Sequence, residues 1–338
     1  MRKGRIVKMS QNNTLVLSSK AMLNFPFKTK HNMYDIIDEN DNLIVRSYKK
    51  MDFENNLLYL KEKLHLISKA RYFFKENGFE EVLTPKLKPQ YLKERHIKKI
   101  RTKYGYLVPS FEIEHKKLLC LGFEKIFELN FAYRDDFEDK WHSKEFLMLE
   151  WYRAYAKPKE IVNDFKNLCI FLNDSNTVLK IGSNNIDLER CEFFSYLELF
   201  LKYLNLNIAH PFDKSKIILE HNLEPNLTKS QVLDYLFATY IEKNLGKRCI
   251  SIVYNFPDFT FLAKKEGKFA KRYEFYIDGV ELANCYDEEN DFVRLKKYFR
   301  ASTDKEFVDY MAFGMPQASG IAFGFDRILK LLIVGDSA

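Results

Sequence analysis

No stretch of this 338-residue chain approaches the ~20 consecutive apolar residues that a membrane-spanning helix needs, so no span is expected. No secretory signal is expected either: the basic start, Met1-Arg2-Lys3-Gly4-Arg5, is followed by no apolar segment. Cysteine is sparse. Cys120, Cys169, Cys191, Cys249 and Cys285 lie far apart and form no CxxC pair. That argues against a zinc cluster or a disulfide framework and for a reducing, cytoplasmic setting. No internal repeat and no low-complexity linker interrupts the chain. With 46% hydrophobic and 30% charged residues, it has apolar material for one large domain plus a small one. The net charge of +7 fits either an acidic partner or a composition generally rich in lysine.

The first 50 residues read as short strands and turns. Arg5-Ile6-Val7, Thr14-Leu15-Val16-Leu17 and Leu43-Ile44-Val45 are β-rich, and polar runs such as Gln11-Asn12-Asn13 part them. So small a piece is marginal by itself, which divides the chain into a β-rich segment over 1–50 and a main domain over 51–338. A helix is expected from Asp52, with Leu57, Leu60, Leu64, Ile67 and Phe74 at helical spacing and Gly78 ending it. A strand over 79–83 follows, and residues 155–250 read as mainly helical.

The chemistry is concentrated in three runs. In residues 126–134, Phe127, Leu129, Phe131 and Tyr133 alternate with Glu128, Asn130 and Arg134. In residues 145–152, Leu147, Leu149 and Trp151 alternate with Phe146, Met148, Glu150 and Tyr152. Strand side chains alternate faces, so an antiparallel pair buries one apolar face and presents an arginine, carboxylates and aromatics on the other. The second run is Arg272–Ile277, Asp278-Gly279, Val280–Asn284. Asp-Gly between β-rich segments signals a two-residue hairpin, with Tyr276 facing Glu281 and Glu274 facing Ala283. Glu274 and Glu281 then share a face, and two carboxylates together need a counter-charge; magnesium is the natural one. In the third run, Gly320, Ala322 and Gly324 alternate with Ile321, Phe323 and Phe325. One face is stripped of bulk, so that a flat ligand fits against it, and Arg327 opens the next helix, where phosphate is favoured.

Together these runs resemble the class II aminoacyl-tRNA synthetases of the lysyl branch. Tyr133-Arg134-Asp135-Asp136, followed by His142 to Arg153, looks like motif 2, residues 319–327 look like motif 3, and residues 77–85 look like motif 1. The resemblance implies an α+β fold, an antiparallel sheet flanked by helices, and activation of a lysine-like amino acid with ATP and Mg²⁺. It assigns catalysis to Arg134 and Arg327 and adenine stacking to Phe146. It sets His142 near the triphosphate and adds Asp136 and Gly324 to the ATP site. Asp136 stands where the family usually has Glu, and Cys285 where it usually has Gly. Glu274 and Glu281 match the acids that bind Mg-ATP. Glu112, Glu150, Tyr152, Asn284, Tyr286, Glu288 and Ala322 match the amino-acid pocket. By parity Asn284, Tyr286 and Glu288 fall on the opposite face from Glu281, so the strand is expected to carry a bulge near Leu282-Ala283. Motif 1 implies a homodimer.

About 50 residues before the catalytic region are too few for the anticodon-binding barrel of lysyl-tRNA synthetases. The chain is most similar to the compact elongation factor P–(R)-β-lysine ligase family, which implies transfer of lysine or β-lysine to a lysine side chain of elongation factor P. Ala322 is shared with that family. A reduced lysyl-tRNA synthetase charging tRNA and a non-catalytic regulator are the alternatives. The basic stretch from Lys86 to Lys103 fits an acidic protein or tRNA, or a solvated loop.

Overall fold

The first long helix, α1 (Phe53–Glu76), shows how local chemistry sets the chain path. Gly78 adopts φ +74°, its N–H donates to the Lys75 carbonyl, and Phe79 N–H donates to the Phe74 carbonyl. This pair of bonds is a Schellman cap, and the accompanying apolar contact is the edge-on packing of Phe74 on Phe79 at 5.0 Å. The cap turns the chain into the sheet. The expected N-cap, Asp52, lies outside the described residues. The computed structural model describes residues 4–8, 13–17, 22–25, 34–39, 42–47, 53–89, 97–257, 260–299 and 305–335.

The chain divides into two units, Met1–His65 and Leu66–Ala338, with the division inside α1. In the first unit, strands Gly4–Lys8, Asn13–Leu17 and Met22–Phe25 form one antiparallel sheet and Tyr34–Glu39 pairs with Asn42–Ser47 in a hairpin. The three β-rich runs read from the sequence fall within these strands; Met22–Phe25 and Tyr34–Glu39 are additional.

The second unit is built on a nine-stranded sheet. Its strands in chain order are β1 (Glu80–Glu81), β2 (Lys125–Tyr133), β3 (Glu145–Ala154), β4 (Val178–Ile181), β5 (Asn184–Ser195), β6 (Cys249–Tyr254), β7 (Arg272–Ile277), β8 (Val280–Asp287) and β9 (Ala318–Gly324). Their spatial order is β4-β5-β6-β7-β8-β9-β3-β2-β1. All neighbours are antiparallel except β1 with β2 and β5 with β6. The expected strand over 79–83 is therefore only two residues long. Thr84 and Lys86 turn inward to Glu128 instead of continuing the ladder. The region read as mainly helical does hold four α-helices, Pro158–Leu172, Tyr196–Leu204, Lys214–Glu220 and Lys229–Leu236, but it also holds strands β4 and β5 and the first residues of β6. A register shift between Asp187 and Cys191 breaks the alternation that would have marked β5.

One sheet face buries Phe127, Leu149, Trp151, Phe275 and Phe323 against Phe74 of α1, Phe165 and Leu168 of α3 (Pro158–Leu172), and Ile328 and Leu329 of the C-terminal helix Phe325–Gly335. The other face carries α2 (Glu112–Cys120) and the polar wall. Cys285 is fully buried in the apolar layer, so its side chain serves packing and not the polar wall. Among the described residues no helix is long and apolar enough to cross a membrane.

Candidate active site

The strand pair β2–β3 sets the wall. Phe127 pairs with Trp151 and Leu129 with Leu149 on the core side, while Glu128 pairs with Glu150 on the other. Next to β3 lies β9, with Ala322 paired to Glu150 on one side and to Asn284 of β8 on the other. The hairpin turns at Asp278 (φ +50°) and Gly279 (φ +77°), both left-handed, as a two-residue turn of this type requires. Tyr276 pairs with Glu281, but Phe275 pairs with Ala283, so Leu282 is the extra residue of a bulge. Glu274 consequently faces Asn284, not the Ala283 that an unbroken ladder gives. The bulge reverses parity, and Glu281, Asn284, Tyr286 and Glu288 all reach one cavity of about 360 Å³.

That cavity is also lined by Arg134, Asp136, His142 and Phe146 from the motif 2 region, by Glu112 and Tyr152, and by Ala322, Gly324 and Arg327. Arg134 stacks over Phe146 at 5.3 Å and donates from Nε to the Pro109 carbonyl at 3.3 Å. Arg327 donates to the Glu281 carbonyl at 2.5 Å and lies 3.0 Å from His142 Nε2; Asp139 holds the other ring nitrogen of His142 at 2.9 Å. Asp326 accepts from the Leu147 N–H at 2.7 Å, fixing the start of the C-terminal helix on β3. The bare face of β9 is not an open shelf. A Cβ at Gly320 would come within 2.0 Å of the Tyr152 ring, and one at Gly324 within 3.3 Å of Arg327, so these glycines make room for the protein's own side chains.

Two expected site residues lie behind the cavity wall, not on it. Glu274 is nearly buried, and its oxygens already accept from Arg272 and from the Tyr276 hydroxyl at 2.5 Å. Burial pushes its carboxyl up, against the pull of Arg272 and helped by Glu281. Glu281 faces the cavity and is 32% exposed, which leaves it as the carboxylate able to meet a cation. A third acid, Glu242, is pushed up to about 8 by burial, then by Glu281 and Glu274. Among the described residues no group of three or more acidic, histidine or cysteine side chains is placed to hold a metal ion by itself, so a hard divalent cation at Glu281 would draw its other oxygens from the ATP phosphates and water.

The second is Glu150, which is fully buried. Its Oε1 accepts from Ser110 Oγ at 2.7 Å and from the Phe111 N–H at 2.8 Å, while Oε2 has no hydrogen-bond partner among the described residues. Burial pushes Glu150 up to about 8 against those two bonds. Its neighbour across the ladder, Glu128, is equally buried but differently partnered. Thr84, Lys86 and His115 contact it at 2.7, 2.5 and 3.3 Å. Burial alone would raise Glu128, but these donors hold it down at about 2. His115 itself is lowered by burial and stays neutral. With Nε2 donating to the ionised Glu128, its Nδ1 is an acceptor and offers Glu150 no proton.

Glu112 and Glu288, both expected to meet substrate ammonium groups, already share a protein ammonium. Lys116 Nζ lies 2.6 Å from Glu112 and 2.7 Å from Glu288. The sequence reading missed Lys116, Lys86, His115, Ser110, Arg272 and Glu242. The only local signal was the i,i+4 spacing of Glu112 and Lys116 on α2. Of the basic stretch, Lys86 and Lys88 are turned inward to Glu128 and Glu114, while Lys93 and Arg95 lie outside the described residues.

Comparison with known sequences gives the family. Residues 41–337 match the family described as tRNA synthetases class II (D, K and N). Similar proteins include the elongation factor P–(R)-β-lysine ligase of Haemophilus influenzae, 27% identical over 314 residues that span 83% of this chain and 92% of that protein. The proteins of the same name from Mannheimia succiniciproducens and Buchnera aphidicola are each 27% identical, over 78% and 80% of this chain and 87% and 90% of their own lengths. The chain belongs to the class II tRNA synthetases (D, K and N), a family of ligases.

Proposed function

We propose that this protein activates lysine or (R)-β-lysine with ATP as the aminoacyl-adenylate and transfers it to a lysine side chain of elongation factor P. One observation carries the reading. A single cavity joins arginines and an aromatic ring at one end to carboxylates at the other; Glu288 Oε1 and Asn284 Oδ1 on its lining, and Glu150 Oε2 just behind its wall, are buried without hydrogen-bond partners among the described residues. Buried polar atoms without partners are costly, and a ligand with two ammonium groups would satisfy them.

In the first step the substrate carboxylate attacks the α-phosphorus of ATP, an acyl–oxygen–phosphorus link forms, and pyrophosphate leaves. Arg134 stabilises the negative charge that grows on the α-phosphate and orients the carboxylate toward it. Arg327 and His142 hold the phosphates, Phe146 stacks adenine, and Asp136 accepts from its amino group. Mg²⁺, when bound at Glu281, supplies positive charge to the phosphates, with Glu274 behind it. Glu112 receives the substrate's first amine; Glu150, Tyr152, Asn284, Tyr286 and Glu288 receive the chain ammonium. In the second step an acceptor amine attacks the carbonyl and AMP leaves. The methyl of Ala322, set between Glu150 and Asn284, narrows the floor beside the substrate's amine and supports a β-amino acid.

Exposed Tyr72 on α1 and exposed Leu83 support a homodimer through the motif 1 region. Five free cysteines fit a cytoplasmic enzyme.

The test is acceptor labelling. Incubation with Mg-ATP, α- or (R)-β-lysine, and either elongation factor P or tRNA should add one aminoacyl mass to the protein acceptor, most with β-lysine. Charging of tRNA alone would overturn the choice of acceptor.

A further inference from the structure

Lys116 lies in the second turn of α2 with its side chain 1% exposed. Its ammonium donates to Glu112 at 2.6 Å and to the Leu262 carbonyl at 3.2 Å, and it is ion-paired with Glu288 Oε2 at 2.7 Å. Burial alone would favour a neutral amine, but the two carboxylates outweigh it and keep Lys116 charged. Glu112 belongs to α2 and Glu288 follows β8, two elements far apart in sequence, and both side chains line the cavity while Lys116 stands behind them. Two carboxylates so placed would repel each other and splay if nothing lay between them. The bridging ammonium instead draws one oxygen of each to the same nitrogen, so those oxygens are no more than about 5 Å apart. Both Glu288 oxygens are buried without a hydrogen bond among the described residues; Oε2 has the Lys116 ion pair and Oε1 has neither.

We propose that Lys116 is a specificity-determining strut: by tying Glu112 to Glu288 it fixes the spacing of the two carboxylates that receive the two ammonium groups of the substrate, and so sets the chain length of the diamino acid accepted. This rests on the reading of the cavity as a diamino-acid site. A rigid pair of sites rejects a chain that is one methylene too short or too long, because one ammonium is left unpaired in a buried place.

Lys116 is a positioning residue, and its test uses a readout that a merely structural role would not move. ATP–pyrophosphate exchange is measured with ornithine, lysine, β-lysine and homolysine for wild type, Lys116→Met and Lys116→Gln. Circular dichroism and the KM for ATP report the state of the fold. The wild type should show one sharp optimum of chain length. In Lys116→Met the ratio of kcat/KM between the best substrate and its one-methylene neighbours should fall by about tenfold or more, with KM for ATP unchanged. Lys116→Gln keeps an amide donor and should fall less. Equal loss on every chain length, or loss of fold in both variants, would overturn the proposal and make Lys116 a structural ion. A wild type that exchanges with no diamino acid would overturn the reading of the site itself, and the proposal with it.

Discussion

Glu128 and Glu150 face each other across the β2–β3 ladder, both fully buried, yet their carboxyls titrate at about 2 and about 8. The difference lies in the donors around them. On the Glu128 side the protein supplies a lysine, a hydroxyl and an imidazole, and the charge is complete without any ligand. On the Glu150 side it supplies two bonds to one oxygen and none to the other. Burial is therefore not what distinguishes a structural carboxylate from a functional one. The unfilled half of the hydrogen-bond shell does.

The sharpest way to break this contrast is Glu150→Gln. Without a carboxylate for the buried ammonium, kcat/KM for the amino acid should fall roughly a hundredfold or more in ATP–pyrophosphate exchange. Tm should hold or rise, because the amide can donate to His115 Nδ1 while Oε1 keeps Ser110 and Phe111. Glu128→Gln should do the reverse. It leaves the half-buried Lys86 without its carboxylate, so urea unfolding should show a loss of about 3 kcal/mol, while the folded fraction keeps its amino-acid KM.

Titration sharpens the contrast further. Glu150 is raised in the folded protein, so its contribution to stability is complete below its usual carboxyl range and is lost as pH rises toward about 8. Glu128 is depressed, so its contribution is complete above that range and is lost as pH falls toward about 2. An ammonium ligand needs Glu150 ionised, and binding below pH 8 should release a proton from it. Calorimetry at pH 7 in buffers of different ionisation enthalpy should detect that release, and amino-acid affinity should climb from pH 6 to about 8. The smallest effect is expected from Thr84→Val, which removes one hydroxyl from Glu128; about 1 kcal/mol should be lost, with activity intact.

The same contrast explains what was legible in the sequence. Arg134, Glu281, Asn284, Glu288 and Arg327 sit on strands and at a helix start whose alternation and turn chemistry are local, and parity set beside the family resemblance calls for a bulge near Leu282-Ala283, which the structure has at Leu282. What supports them is not local. Lys86 meets Glu128 across 42 residues, and Lys116 meets Glu288 from another part of the fold. No spacing rule announces such pairs. Glu150 and Glu274 were read as wall residues because strand parity gives the face but not the cover: Ser110 and Phe111 close over one, Arg272 and Tyr276 over the other. Strand β5 was missed because its register shift erases the period-2 pattern.

The most direct test of the central claim is ATP–pyrophosphate exchange driven by lysine or β-lysine, run side by side on wild type, Glu150→Gln and Glu128→Gln. Exchange in wild type, near-complete loss in Glu150→Gln and retention in folded Glu128→Gln is the predicted result. No exchange in wild type with either amino acid, or equal activity in wild type and Glu150→Gln, would contradict it.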